Sequence, residues 1–417
     1  GANVQVEDSD DDIGPSLPGQ ETRKPTAEAL QQVAAIKEGE EAPKPKKPPF
    51  SFRHECGRLS RIDGLAVLVI CVVYALTAFL GLGDTSAPQS WCEFTERGRY
   101  VIVELPESTE LGKIRYYTGL HTGSYSLAIS DDGESWTELG AMDQEYADLF
   151  KWLDFPAEDM EDPPESMEGK YLRITASDTL SLGEVALYDA DGNLLDAGDF
   201  TYDAGAAPLF DEQELVPEAA SYLNSSYFDE IYHARTALEH IENVYPYEIT
   251  HPPLGKEIIG IGIRLFGMTP FGWRFMGTLF GVLMLPILYV FLKRMTRSSA
   301  ISACGTIIFA FDFMHFVQTR IATIDTYSVF FILLMYLFMW RFVSGGKWRY
   351  LALSGIFFGL GAASKWTCIY AGGGLAVIWL VYWITQVKKP GFAKRFIGNC
   401  AFCLLFFVAI PAATPTM

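Results

Sequence analysis

The run Phe228-Asp229-Glu230-Ile231-Tyr232-His233, followed by His251-Pro252-Pro253-Leu254-Gly255-Lys256, places two adjacent carboxylates, two histidines and a lysine in fewer than 30 residues. Asp229 and His233 are four apart and share one face of a helix, while Glu230 points about a third of a turn away. A carboxylate beside a membrane surface suits a general base that takes a proton from an incoming hydroxyl. Taken alone, one such acid reads equally as a charge favoured by a helix N-terminus. Farther on, Arg274, Arg320, Asp325 and Lys365 fall at the ends of apolar segments, where each charge costs about 2.5 to 3.5 kcal/mol to place in a bilayer. Arg320 and Asp325 could simply pair or snorkel. Several cations converging on one interface nonetheless make a receptor for a phosphate. Asp229, Glu230 and His233 could instead hold a divalent cation, but their spacing is not a ligand signature, so no metal or other cofactor is assigned.

The elements that must position these groups are membrane-length. Ile62–Leu82 carries one charge, Asp63, behind the basic residues Arg53, His54, Arg58 and Arg61, and reads as a first transmembrane helix with a cytoplasmic N-terminus. Apolar segments recur at 271–292, 301–317, 324–340, 348–363, 367–384 and 396–410. Lys and Arg gather in every second connection, at Lys293, Arg294 and Arg297, then Arg341, Lys347 and Arg349, then Lys388, Lys389, Lys394 and Arg395. That alternation puts the focal stretch and the acidic region outside the cytoplasm. Residues more than a hundred positions apart thereby become candidates for one site.

Between Asp84 and Glu248 the chain has 36 acidic and 8 basic residues, within a net charge of -19. Such a surface argues against nucleic acid as a partner. Runs at 100–105, 113–117, 124–130, 170–175 and 184–188 alternate as strands, with Asp131-Asp132-Gly133 and Asp191-Gly192 as turns. They predict a β-sandwich of about 110 residues. Ser130-Asp131-Asp132-Gly133-Glu134-Ser135-Trp136, Lys170-Tyr171-Leu172-Arg173-Ile174 and Gly183-Glu184-Val185-Ala186-Leu187-Tyr188 resemble the discoidin, or coagulation-factor C-type, galactose-binding-like sandwich. That resemblance leaves a glycan-binding role and a spacer role both open. The seven cysteines form no disulfide pattern, since only Cys92 lies in the acidic region. Residues 1–49 are acidic, then rich in Pro and Lys, and are expected to be a disordered tail rather than a signal peptide. The chain starts without Met and stops in mid-pattern, which reads as a fragment.

The expected fold class is a polytopic α-helical membrane protein with an inserted extracytoplasmic all-β sandwich. Its divisions are 1–49, 50–83, 84–204, 205–270 and 271–417. The chemistry that suits such a site is attack of an acceptor hydroxyl on a sugar held by a lipid phosphate. The leaving group is already a stable anion, so one base on the opposite face of the sugar suffices, with inversion at the anomeric carbon.

The residues that carry this reading also carry a family resemblance. Phe228 to His233, His251 to Lys256, Gly272-Trp273-Arg274-Phe275, Phe316 to Asp325 and Ser364-Lys365-Trp366-Thr367 stand in the order found in protein O-mannosyltransferases, which are GT-C membrane glycosyltransferases. The resemblance implies a polyprenyl- or dolichyl-phosphate donor, usually carrying mannose, and transfer to Ser or Thr of proteins outside the cytoplasm. It implies catalysis by Asp229 and Glu230 and donor-phosphate binding by Arg274, with Arg320, Lys256 and Lys365 beside it. His233, His251 and Asp325 are expected to contact substrate. Dimerisation is a habit of eukaryotic relatives. The expected location is the plasma membrane, or the endoplasmic reticulum in a eukaryotic host, where Asn224-Ser225-Ser226 would be a glycosylation sequon. The long insert before the Asp-Glu pair departs from the family and looks closer to its bacterial, lipid-carrier-dependent members. Two other classes compete: a membrane-anchored carbohydrate-binding or sensory protein that works through the sandwich, and a transporter, which would place its charges at the midplane.

Overall fold

The computed structural model describes residues 59–409; the tail 1–49 and most of the basic flank lie outside the described residues. Helix α1 (Arg61–Phe79) begins at a reciprocal capping box in which Ser60 and Asp63 bond to each other's backbone. Asp63 is fully buried and pairs with Lys293 at 3.2 Å, while the Tyr289 hydroxyl donates to it at 2.8 Å. The one charge in the first apolar segment therefore joins the start of α1 to the end of a later helix.

Eight antiparallel strands follow: β1 (Cys92–Phe94), β2 (Tyr100–Thr118), β3 (Gly123–Ser130), β4 (Thr137–Gln144), β5 (Trp152–Phe155), β6 (Glu168–Ala176), β7 (Leu180–Asp189) and β8 (Thr201–Tyr202). One sheet runs β4-β3-β6-β2-β8 and the other β1-β7-β2-β5. Strand β2 belongs to both. Its first half pairs with β6, the register shifts between Glu104 and Thr109, and its second half pairs with β7 and β5. The two sheets close over a common core that includes Val103, Leu127, Leu172 and Ile174 from one side and Phe94, Ile114, Leu182 and Val185 from the other.

The helical part comprises α2 (Glu230–Glu242), α3 (Leu254–Phe266), α4 (Pro270–Thr296), α5 (Ser299–Ala310), α6 (Phe313–Gln318), α7 (Asp325–Gly345), α8 (Trp348–Ser364), α9 (Thr367–Gln386) and α10 (Phe392–Cys403), which continues as π-helix through Ala409. Four described helices, α1, α4, α7 and α9, are long and apolar enough to cross a membrane. One sequence expectation changes here. The apolar stretch 301–317 is not one helix, because the Asp312 carboxylate accepts from the backbone of Met314 and His315 and starts α6 afresh. Residues 254–266, which precede the expected membrane segments and lie in the 205–270 division, form an amphipathic helix that buries Ile258, Ile259 and Ile263 and exposes Ile261 and Leu265.

The β-domain is not held at a distance. A second core joins Tyr117, Leu149, Phe150 and Trp152 of that domain to Ala234, Ile259, Trp273, Ile324 and Tyr327 of the helices. Asp84 donates its N–H to Leu223 O at 2.8 Å and accepts from Phe271 N at 3.0 Å, so the chain leaves the helices and returns to them at one point.

Candidate active site

The segment before α2 is fixed from the β-domain. Ser226 N donates to Phe150 O at 2.9 Å and Ser226 Oγ to Leu149 O at 2.6 Å, while Ser225 Oγ accepts from Trp152 N at 3.1 Å. Phe228 then adopts φ 54°, a left-handed conformation that a bulky side chain occupies only under constraint. Helix α2 begins immediately afterwards. Asp229 stands at its N-cap with no side-chain capping bond, leaving the carboxylate without a hydrogen bond among the described residues.

Glu230 turns the other way and is completely buried. Its carboxylate takes two bonds of 2.6 Å from Arg274 Nε and Nη2, and accepts the N–H groups of Tyr227 and Ala322 at 3.0 Å. Arg274 completes its set with Leu82 O and Tyr222 O through Nη1 and Ser225 O through Nη2. All five guanidinium donors are thus engaged with protein. Glu230, expected from the sequence to be catalytic, and Arg274, expected to hold the donor phosphate, are both buried inside one clamp that fastens α4 to the segment before α2, the end of α1 and the α6–α7 connection.

Lys256, expected beside the donor phosphate, is likewise engaged with protein. It is 1% exposed, ion-paired with Glu248 and bonded to the Glu248 and His251 carbonyls. Burial opposes the Glu248 charge, yet bonds from Lys256, Thr250 and His251 outweigh it and hold the carboxyl down to about 2. Lys256 therefore shapes the 248–251 loop.

Asp229, His233, His251 and Lys365 do come together. They line one cavity of about 700 Å³ with Tyr146, Tyr232, Tyr247, Glu248 and Thr250. Asp229 and His233 share that wall, as their four-residue spacing requires. Burial lowers the His233 pKa to about 4, so its ring is neutral at physiological pH, and its Nδ1 is buried without a partner among the described residues. The His251 ring lies 6.0 Å from it, nearly perpendicular. A second cavity of about 510 Å³ is lined by Phe228, Asp229, Phe309, Asp312, His315, Gln318, Asp325 and apolar neighbours including Met284, Met314 and Val329. Asp229 belongs to both cavities. Lys365 on the first side bonds both oxygens of Asp325 on the second, at 2.8 and 2.7 Å. Burial and the Asp325 charge push the Asp229 pKa up from its ordinary value, against the pull of Lys365 and His251.

Arg320 sits where α1 ends. Its Nη2 donates to Leu80 O and Gly81 O at 2.8 Å, its Nε is buried without a partner, and its Nη1 makes no hydrogen bond among the described residues. Neighbouring Thr319 fixes that position, with its hydroxyl 2.8 Å from Tyr74 of α1 and its carbonyl accepting from Thr278 of α4.

Sequence reading overlooked Tyr146, which sits in a β-domain loop with nothing local to mark it. It also overlooked Asp312, His315 and Gln318, whose three-residue spacing in an apolar run is a legible stripe on one helix face.

Residues 250–413 match the family model described as dolichyl-phosphate-mannose-protein mannosyltransferase. Three curated relatives share the name polyprenol-phosphate-mannose–protein mannosyltransferase. That of Mycobacterium tuberculosis (strain CDC 1551 / Oshkosh) is 28% identical over 213 residues, covering 45% of this chain and 38% of the relative. That of Mycolicibacterium smegmatis (strain ATCC 700084 / mc(2)155) is 27% identical over 232 residues, covering 48% and 42%. That of Corynebacterium glutamicum is 26% identical over 224 residues, covering 47% and 41%. The matched stretch spans about two fifths of these relatives' length. Among solved structures, one titled "CpGH89CBM32-6 produced by Clostridium perfringens" aligns with 26% of this chain and 82% of its own at 18% identity, with a TM-score of 0.20, which assigns the β-domain to no family.

Proposed function

We propose, from the premise that residues 250–413 carry a domain of the protein mannosyltransferase family, that this multi-pass membrane protein moves mannose from a polyprenyl-phosphate donor to a Ser or Thr hydroxyl of a protein, with inversion. The carrying observation is that Asp229, an acid without a hydrogen bond among the described residues, borders two cavities of different character. The 510 Å³ cavity, part apolar, takes the lipid-linked sugar; the 700 Å³ cavity, lined by tyrosines, histidines and the β-domain, takes the acceptor.

Asp229 removes the acceptor proton. The acceptor oxygen bonds to the anomeric carbon from the face opposite the phosphate, the carbon–oxygen bond to the phosphate breaks, and polyprenyl phosphate departs as an anion. Arg320, through its uncommitted Nη1, and Lys365 stabilise that anion, and Asp325 holds Lys365 in place. His233 and His251 form the acceptor wall. The alternation of Lys and Arg in the connections supports a cytoplasmic start for α1 and an extracytoplasmic position for both cavities.

Membranes containing the full-length protein, supplied with polyprenyl-phosphate-[radiolabelled] mannose, test the reading. Label is expected in the protein fraction, and its loss in Asp229→Asn membranes with normal protein level identifies the base. Label transfer that persists in the variant sinks the assignment of Asp229; no transfer by folded wild type sinks the donor.

A further inference from the structure

Tyr146 lies on the β4–β5 connection of the β-domain, whose resemblance fits both a glycan binder and a spacer. Its ring centroid is 5.0 Å from Tyr232 of α2 and 4.8 Å from Tyr247 of the 243–253 loop. All three line the 700 Å³ cavity beside Asp229. Each is anchored independently. Tyr247 N donates to Glu239 at 2.7 Å and its ring lies 4.3 Å from the Arg235 guanidinium, while Tyr232 is fixed by α2. The loop carrying Tyr146 is held by Phe150 and Trp152, which pack in the shared core, and by the Ser225 and Ser226 bonds. The β-domain and the base are thus located by the same few contacts.

We infer that the β-domain determines which acceptor is used: Tyr146, Tyr232 and Tyr247 form an aromatic corner that grips an extended, neutral or basic peptide beside its reacting Ser or Thr. This deepens the proposed function and rests on Asp229 as the base. The rings are tilted by 63° and 51°, which makes a corner that receives a bent residue such as proline rather than one flat platform for a pyranose. Asp143 and Glu145 are exposed on or beside the same connection, and the domain is strongly acidic around them, so an acidic peptide is repelled and lysine next to the site is favoured. Because Tyr146 comes from the insert, acceptor choice is set by a part of the chain outside the matched family stretch.

The test uses full-length protein in membranes with the mannosyl donor and three synthetic acceptors: a Thr peptide with adjacent Pro and flanking Lys, the same peptide with Glu replacing Lys, and a short mannoside. The wild type is expected to prefer the Lys peptide. Tyr146→Ala is expected to raise that peptide's KM on the order of tenfold with kcat changed less than twofold, as loss of an aromatic anchor does. Tyr146→Phe, which keeps the ring, should retain the wild-type KM. Tyr100→Ala, at an exposed site away from the corner, controls for general damage to the β-domain. An unchanged KM in Tyr146→Ala, a fall confined to kcat, or preference for the mannoside overturns the inference while the transferase reading stands. No donor turnover with any acceptor removes both together.

Discussion

Arg274 and Glu230, 44 residues apart in sequence, meet through two parallel bonds of 2.6 Å at a place where neither reaches solvent. The neighbouring acid, Asp229, has no such partner. Two adjacent carboxylates that sequence alone treats as a pair therefore have opposite surroundings. Replacing Asp229 with Asn should lower transfer by about 10²- to 10⁴-fold, the usual contribution of a general base, with an unchanged melting temperature. Glu230→Ala should instead destabilise the fold by about 3 to 5 kcal/mol, because it leaves the Arg274 charge buried without its partner. Arg274→Lys should fail similarly, since one ammonium cannot replace five donors in a planar fork. Thermal unfolding in detergent beside the transfer assay separates the two effects; equal stability losses in the Asp229 and Glu230 variants would contradict the division.

The acid limb of the pH–rate profile should report Asp229. Its pKa is raised by burial and by Asp325, so the reactive, deprotonated form is lost as pH falls through a value above that of an ordinary aspartate. Asp325→Asn removes a charge that raises it, and the limb should move to lower pH. Lys365→Gln removes one that lowers it, and the limb should move to higher pH while the maximal rate also falls. Shifts of the same sign in both variants would refute the coupling.

Phe228 supplies a backbone prediction. At φ 54° and 58% exposed, it holds a left-handed conformation with little packing to compensate. Phe228→Gly should be neutral or stabilising by about 1 kcal/mol, and Phe228→Val destabilising, because a β-branched residue fits that region worst. A melting temperature that drops several degrees in the glycine variant would show that the ring, not the backbone, matters there.

The contact between α3 and α4 is closer than any side chain allows. A Cβ added at Gly262 would strike the Gly272 carbonyl oxygen, and one at Gly272 the Gly267 carbonyl oxygen. Gly262→Ala should force the helices apart and cost about 1 to 3 kcal/mol, the range of an overpacked core. Tryptophan emission offers a direct readout, because fully buried Trp273 follows Gly272.

How much of this was legible in the sequence follows from how local each signal is. The alternation of Tyr100 to Leu105 and of Lys113 to Tyr117 marks strand, but Pro106-Glu107-Ser108 between them hides that β2 is one strand crossing two sheets. Strand β4, Thr137–Gln144, carries Gly140 and acidic residues and shows no apolar run. Helix α3 escaped because Gly255, Gly260, Gly262, Lys256, Glu257 and Arg264 interrupt its apolar run, although Ile259 and Ile263 stand four apart on one face. Within the site, Asp229 and His233 were readable from their spacing alone. Whether Arg274 and Lys256 met a substrate or another residue was not, because Glu230 lies 44 positions from one and the Glu248 pairing is made by a loop. Charge type is local information; partnership is not.

The bond between Asp84 and Leu223 gives the insert an unusual kind of modularity. The ends of the excursion lie side by side, so the thread of the chain through the helices would run the same way if the excursion were a short turn. A domain joined in this manner can enter a membrane scaffold without rerouting a single helix. Its packing tells the opposite story, since Phe150 and Trp152 share a core with Ile259 and Trp273. By connectivity the β-domain is a detachable pendant; by adhesion it is a keystone, and cutting it out would leave the helices correctly strung around an open, wet seam.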